Sequence, residues 1–164
     1  MSSQKSATRW LNDSEMLAWR GYIETVEEIN IRLEAALVSH QLTIGDYQVL
    51  VLLSERDERR MRMCDLATLL HLSPSGLTRR LDGLVKAGFV TREPNPGDRR
   101  EMLALLTPSG FKKLESAAPD HVDSVRTYML DHLSSDQISQ LGAIFNSLKI
   151  GLQIQTADQL AASK

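Results

Sequence analysis

The fold of this chain is decided by residues 65–110, which read DLATLLHLSPSGLTRRLDGLVKAGFVTREPNPGDRREMLALLTPSG. Ser73-Pro74 is a strong helix start, because serine caps an amino end well and proline is tolerated at the first helical position. The helix is predicted to end at Lys86, before Gly88, and a brief turn separates it from a shorter helix over residues 65–71. Its apolar residues recur at steps of three and four and are predicted to be buried: Leu77, Leu81, Leu84 and Val85. Two helices joined in this way indicate a helix-turn-helix.

A β-hairpin is predicted to follow this pair of helices. Residues 89–93 and 102–106 are typical of strands, and Asn95-Pro96-Gly97-Asp98 between them is a turn cluster. A further short strand is predicted over residues 61–63. The order of elements is that of a winged helix-turn-helix, so we predict a mainly α fold with a small β-hairpin wing.

On the amino-terminal side, a loose arm over residues 1–12 is predicted to lead into a long helix from Asp13. A second helix follows Thr43, which is a candidate cap with a carboxylate three residues on. The apolar residues of the first helix recur at helical steps: Trp19, Tyr22, Ile23, Val26, Ile29, Leu33, Ala36 and Leu37. A helix of about 25 residues is longer than a small domain needs for itself.

On the carboxyl-terminal side, Thr107-Pro108 repeats the serine-proline type of helix start. Pro119 lies inside this helix and is expected to kink or interrupt it. Ser134 begins the last helix with a capping box, and the tail after about Thr156 is expected to fray. The last helix also carries an apolar stripe: Ile138, Leu141, Ile144, Phe145, Leu148 and Leu152.

These two apolar stripes predict a homodimer, because one lobe is too small to cover both. The alternative is that each stripe packs within its own chain. We divide the chain into an arm and dimerisation helix over residues 1–40, a winged helix-turn-helix lobe over residues 41–108, and dimerisation helices with a tail over residues 109–164.

The composition is that of an ordinary globular protein, with 42% apolar and 24% charged residues in 164. A single cysteine excludes an intramolecular disulfide and a multi-cysteine metal cluster within one chain. No apolar stretch is long enough to cross a membrane, and residues 1–10 lack the apolar segment of a secretory signal. We therefore expect a cytoplasmic protein with no membrane partner.

The charge is unevenly distributed. Residues 56–113 contain twelve lysines and arginines and seven acidic residues, a net charge of +5, whereas the rest of the chain carries −7. A basic middle between acidic ends indicates a polyanionic partner for the middle alone, and double-stranded DNA fits a helix-turn-helix.

Two groups of residues are candidates for DNA contact. The second helix of the motif is expected to enter the major groove, where Arg79 or Arg80 can pair with guanine or with phosphates, and Ser73, Ser75 and Thr78 can donate hydrogen bonds.

The hairpin tip carries Asp98, Arg99 and Arg100, and it is placed to enter the adjacent minor groove. Asp98 repels phosphates, so we expect it to hold one arginine by a salt bridge. Arg99 is expected to point to the opposite face if the returning strand has begun there. A plain solvated helix face and a polar hairpin tip are the alternatives.

Over roughly residues 13–155 the chain resembles the MarR family (multiple-antibiotic-resistance regulators). The resemblance is carried by Leu66-Ala67, Leu72-Ser73, Gly76-Leu77-Thr78-Arg79, Leu84, Gly88-Phe89-Val90, Asn95-Pro96-Gly97-Asp98-Arg99-Arg100 and Leu105-Leu106-Thr107-Pro108-Ser109-Gly110. It implies an obligate homodimer that recognises a pseudo-palindrome and is often released by a small ligand. It also implies that Arg100, two positions after Asp98, reaches into the minor groove.

The resemblance implies a site for a small aromatic or phenolic effector between the dimer helices and the lobe. The candidates are Trp19, Arg20, Tyr22, His40 and Tyr47, as aromatic rings with one cation suit an aromatic carboxylate. The alternative is that they are core and interface residues.

Other chemistries have little support. Cys64 is expected to be a small buried hydrophobe, although a cysteine near a helix start leaves a redox role open. The histidines form no convincing metal ligand set, and no phosphate loop or nucleophile elbow is present. We therefore predict no enzyme and no cofactor. A metal- or redox-responsive regulator, or a winged-helix protein-interaction module without a DNA target, remains the alternative.

Overall fold

The computed structural model describes residues 8–154, and it contains six α-helices and three strands over that range. In chain order they are α1 (Asp13–Leu37), α2 (Ile44–Ser54), β1 (Arg60–Arg62), α3 (Met63–Leu69), α4 (Pro74–Lys86), β2 (Val90–Pro94), β3 (Met102–Leu106), α5 (Pro108–Tyr128) and α6 (Ser135–Gly151). Short 3-10 helices lie at Val38–His40, Asp57–Arg59 and Leu130–His132. The mainly helical winged fold predicted from the sequence is confirmed. The tail after Thr156 lies outside the described residues.

The helix starts follow the capping chemistry of the sequence. Thr43 and Ser134 each form a capping box, with Asp46 and Gln137 respectively. Ser73 and Thr107 each accept a hydrogen bond from a backbone N–H of the helix they begin, and a proline follows each of them.

The sheet is antiparallel with strand order β1-β3-β2. The lobe's core lies where α2, α3 and α4 pack on this sheet. Leu37 of α1 and Leu114 and Ala117 of α5 also belong to it, and α1 and α5 pack on each other. The largest fully buried side chains are Leu37, Val49, Leu50, Leu53, Leu66, Leu77, Leu81 and Val90. No helix in residues 8–154 is both long and apolar enough to cross a membrane.

Two expectations about burial are corrected by the structure. Val85 is 38% exposed, because it lies beside rather than within the stripe of Leu77, Leu81 and Leu84. Cys64 is exposed, since α3 begins at Met63 and turns its buried face through Asp65, Leu66 and Ala67.

Pro119 does not interrupt α5, which continues to Tyr128. Proline removes one helical hydrogen bond to the carbonyl four residues back, and here both Pro119 and Glu115 are exposed, so water can satisfy that carbonyl. The helix ends instead where Met129 leaves helical geometry, at φ −135° and ψ −62°.

Gly110 fixes the contact between α5 and the end of the loop before β2. A Cβ at this position would overlap the carbonyl oxygen of Phe89 and stand 2.8 Å from Leu106 Cδ1. We expect Gly110→Ala to lower the free energy of unfolding by roughly 1–3 kcal/mol, because backbone rather than a flexible side chain must move. The measurement is urea unfolding, with Gly83→Ala as the matched control, since a Cβ at Gly83 meets nothing within 4 Å. Equal midpoints for the two variants would contradict this account.

Candidate nucleic-acid interface

The exposed face of α4 carries the predicted contact residues. Ser75, Thr78 and Arg79 are all exposed. Ser73 is committed to capping, as its Oγ accepts from the N–H of Gly76 at 3.1 Å and lies 3.2 Å from the Ser75 hydroxyl. The Thr78 hydroxyl donates to the Pro74 carbonyl at 2.9 Å, which leaves its lone pairs and its methyl group available to a ligand.

The structure separates Arg79 from Arg80. Arg79 projects from α4 into solvent. The guanidinium of Arg80 instead lies half-buried over Gly45, and its Nη1 donates to Thr43 Oγ1 at 3.2 Å. Gly45 makes this possible, because any Cβ there would occupy the space of the guanidinium. Arg80 therefore spans from α4 to the amino end of α2.

At the tip of the wing, Asp98 holds Arg100 in a bidentate ion pair. Arg100 Nε lies 3.0 Å from Oδ1 and Nη2 lies 2.7 Å from Oδ2, while the Arg100 backbone N–H donates to Oδ1 at 3.0 Å. These hydrogen bonds lower the pKa of Asp98 and raise that of Arg100. The Arg100 side chain is nevertheless 90% exposed, so a fixed guanidinium stands clear of the lobe.

Arg99 is exposed beside this pair. The returning strand begins only at Met102, so the strand alternation invoked for Arg99 does not apply. The two arginines differ because Asp98 binds one of them.

Two further arginines link the strands of the lobe to its helices, and the sequence analysis singled out neither of them. Arg92 on β2 donates from Nη2 to Asp82 Oδ1 at 2.8 Å and to the Thr78 carbonyl at 2.9 Å, both on α4. Arg62 on β1 binds Asp65 and also Glu101 at the base of the wing loop. A signal for Arg92 was present: it shares a strand face with the buried Val90, two residues away.

The five effector candidates fall into two groups. Trp19 and Tyr22 stack on the exposed side of α1 with ring centroids 5.9 Å apart, and Arg20 is exposed beside them. The carboxyl end of α1, which leads into the 3-10 helix of His40, lies about 27 Å from Trp19, because eighteen residues separate Trp19 from Leu37 at 1.5 Å per residue. Tyr47 lies on α2, beyond that end. Within one chain, then, the five do not converge.

His40 and Tyr47 both meet α5. His40 Nε2 lies 2.7 Å from Asp120 Oδ2, and the ring of Tyr47 lies 4.4 Å from that of His121. Burial raises the pKa of Tyr47 and lowers that of His121. His121 Nδ1 is buried without a hydrogen-bond partner among residues 8–154, so this junction between α2 and α5 has a polar group to satisfy.

The Cys64 sulfur lies 3.8 Å from Asp65 Oδ1. No group of three or more His, Cys, Asp or Glu side chains within residues 8–154 is arranged to hold a metal ion.

The chain is similar in sequence and fold to known transcriptional regulators. Residues 42–102 match the model of the MarR family. The multiple antibiotic resistance protein MarR of Salmonella typhimurium is 31% identical over 61% of this chain and 69% of its own length. The transcriptional repressor YetL of Bacillus subtilis is 26% identical over 76% of each chain.

Two crystal structures from Streptomyces coelicolor, both of MarR family transcriptional regulators, share the fold closely. AbsC superposes with a TM-score of 0.85 at 38% identity, over 90% of this chain and 100% of its own. Sco3205, solved in complex with DNA, has a TM-score of 0.85 at 37% identity, over 91% of this chain and 94% of its own.

Proposed function

The chain belongs to the MarR family of transcriptional regulators, and we propose that it is a cytoplasmic repressor that binds a pseudo-palindromic operator as a homodimer. This proposal rests on two exposed cations on one lobe. Arg79 lies on α4, and Arg100 lies at the wing tip, where Asp98 holds it in an ion pair. The DNA complex of Sco3205 and the repressor name of YetL support it. The lobe comprises residues 41–108, and the flanking regions 1–40 and 109–164 join the two subunits.

Each contact residue receives a distinct role. Arg79 reads a base edge in the major groove, because its fork is exposed and unconstrained. Arg80 binds phosphate at the groove edge, where α2 and α4 meet. Ser75 and Thr78 add short hydrogen bonds, and Ser73 positions the helix start. On the wing, Arg100 enters the minor groove, Asp98 aligns it and Arg99 meets a phosphate.

The dimer rests on α6. No residue of this 17-residue helix is buried in the single chain, although it carries a full apolar stripe. Ile144 is 55% exposed and Leu148 is 52% exposed, and α1 likewise exposes Leu17, Ile23 and Ile31. Exposed apolar area of this extent marks an interaction surface, and a second copy covers both ends at once.

The effector site is proposed at the junction of α2 and α5. Tyr47, His121 and His40 supply aromatic surface and an unsatisfied nitrogen there. A small aromatic acid or phenol that wedges between them would shift the lobe relative to the dimer helices. Trp19, Arg20 and Tyr22 then belong to the subunit interface or to a second face of the same site contributed by the partner.

Enrichment from a random pool of DNA duplexes tests the proposed function. We expect a pseudo-palindrome whose half-sites lie 10–10.5 base pairs apart, centre to centre, or a multiple of this. Affinity for it should fall steeply with added salt. A pool without enrichment, together with salt-independent binding, would favour the protein-interaction module.

The two α4 arginines should then behave differently. Arg79→Ala is expected to lose about 1–3 kcal/mol of operator binding and little nonspecific binding, which is the value of one bidentate base contact. Arg80→Ala should weaken both kinds of binding and reduce the salt slope by about one. Fluorescence anisotropy on operator and scrambled duplexes at four salt concentrations measures both effects.

Gly45→Ala provides a matched control for Arg80, since its Cβ displaces the guanidinium without removing the charge. It should reproduce the affinity loss of Arg80→Ala. Unchanged operator binding in both Arg79→Ala and Arg80→Ala would refute the assignment of α4.

A further inference from the structure

The wing and α4 must reach two grooves at once, so their separation has to be fixed. A hairpin of two five-residue strands is thin, and β2 is an edge strand of the sheet. β1 pairs only with Leu103–Leu105 of β3, so no strand lies beside the outer edge of β2 within residues 8–154, and the hairpin can still twist. Something beyond the strand ladder must therefore set the angle of the wing.

Arg92 links the wing directly to the turn of α4 that carries the proposed base contacts. Its Nη2 bridges Asp82 Oδ1 at 2.8 Å and the Thr78 carbonyl at 2.9 Å, which lie one helical turn apart. Thr78 immediately precedes Arg79. The link thus joins β2 to the same helical turn that presents Arg79.

The environment of Arg92 differs from that of a DNA-binding arginine. Its side chain is only 23% exposed, and its Nε is buried without a hydrogen-bond partner among the described residues. A side chain this covered presents little of its charge to solvent, and the polar contacts of its guanidinium are with α4. Its Nη2 is already shared between two acceptors on α4.

Arg62 performs the matching task on the other edge of the sheet. Its Nε and Nη2 form a bidentate pair with the buried Asp65 at 2.9 and 3.2 Å, and Nη1 reaches Glu101 Oε1 at 3.2 Å. Glu101 in turn accepts from Asn95 Nδ2 at 2.8 Å, and the Asn95 N–H donates to the Glu101 carbonyl at 2.9 Å across the neck of the wing loop. The loop that carries Arg100 is thereby tied to α3.

We propose that Arg92 and Arg62 are positioning residues that hold the wing at the distance from α4 at which Arg79 and Arg100 engage adjacent grooves together. This rests on the proposed function. Although they add to the positive charge of the lobe, they act on DNA through other residues and contribute to specificity by geometry.

A double-mutant cycle between Arg92 and Arg100 tests the proposal. Arg92→Lys keeps the charge but loses the fork that bridges Asp82 and Thr78, so a pure charge effect predicts no change. We expect about a tenfold loss of operator affinity with an unchanged salt slope and a weakened preference for A·T-rich flanks. In an Arg100→Ala background the same substitution should cost less than threefold, because the wing contact it serves is already gone.

Asp82→Asn, which changes the partner of Arg92 on α4, is a second test variant. Glu93→Gln, next to Arg92 on β2, is its control. Asp82→Asn removes a negative charge from the DNA face yet is expected to weaken flank discrimination, whereas Glu93→Gln should leave it intact. Urea midpoints verify that all variants are folded. If the wild-type protein discriminates between flanks but the affinity losses of Arg92→Lys and Arg100→Ala add in the double variant, this inference is wrong and the proposed function stands. A wild-type protein that binds no duplex specifically would instead overturn the proposed function.

Discussion

Removal of the residues after Leu133 is expected to abolish dimer formation and, with it, specific operator binding. The truncation deletes α6, the helix whose apolar stripe has no cover in the single chain. A lone lobe makes half of the contacts, and specific sites are typically bound at least 10³-fold more tightly than nonspecific ones. We therefore expect operator affinity to fall to the nonspecific level. Sedimentation at micromolar concentration and anisotropy on the operator measure the two losses.

Truncation also leaves the exposed apolar residues of α1 without the proposed dimer interface, so the shortened chain can aggregate. A point variant avoids that difficulty. Leu148 is 52% exposed in the protomer, so Leu148→Glu leaves the protomer's own packing intact but places a charge in the proposed interface. It should yield a folded monomer. Asn146→Glu, on the same helix but away from the stripe, should remain a dimer. A well-folded, monomeric wild-type protein would show that the dimer assignment is wrong.

Most of the fold could be predicted because its signals are local. Thr43, Ser73, Thr107 and Ser134 all begin helices where their capping side chains predict, and hydrophobic spacing identifies Leu77, Leu81 and Leu84 as core. Such signals depend on residues only a few positions apart, so one sequence contains them in full.

The errors arose where burial depends on which way a helix is turned. Cys64 and Val85 each adjoin a buried stripe, and a rotation of one position decides whether a side chain is covered. The expectation that Pro119 interrupts its helix rests on the hydrogen bond that proline removes, and the exposed position at which water can replace that bond depends on what α5 packs against.

In the candidate site, too, contacts between neighbours in sequence could be predicted and contacts between distant residues could not. The position of Asp98 in the turn predicts a salt bridge to one neighbouring arginine, and the family resemblance implies that this arginine is Arg100, as the structure has it. The contacts of Arg92 with Asp82 and of Arg80 with Thr43 join residues 10 and 37 positions apart. Only the packed lobe brings those partners together, so no spacing rule indicates them.

A large single-residue effect is also expected at the wing tip. Arg100→Ala should reduce operator affinity by about tenfold or more and eliminate the preference for A·T-rich flanks. The narrow minor groove of such DNA focuses negative potential, and a guanidinium fixed in advance gains most from it because little side-chain freedom is lost on binding. Arg99→Ala should cost less and leave the flank preference intact, since Asp98 does not hold Arg99.

Substitution of Asp98 distinguishes two roles for the wing: recognition of minor-groove shape, or simple binding of phosphates. Net charge alone predicts that Asp98→Ala binds DNA more tightly, because a negative charge leaves the DNA face. Fixation of Arg100 predicts the opposite sign. The hydrogen bonds from Arg100 lower the pKa of Asp98, which is ordinarily already well below neutral, so the carboxylate is ionised at neutral pH.

Asp98→Asn separates the ion pair from the turn itself. The amide oxygen can still accept from the Arg100 backbone N–H, as Oδ1 does at 3.0 Å in the native protein, so the turn is kept while the bidentate pair is lost. We expect Asp98→Asn to weaken flank discrimination nearly as much as Asp98→Ala, and both to bind the operator less tightly than wild type at fixed salt. Tighter binding by either variant, with flank preference surviving in Arg100→Ala, would show that the wing only anchors phosphates. The expected pattern follows because a mobile guanidinium must be ordered as it enters the groove, whereas Asp98 orders it beforehand.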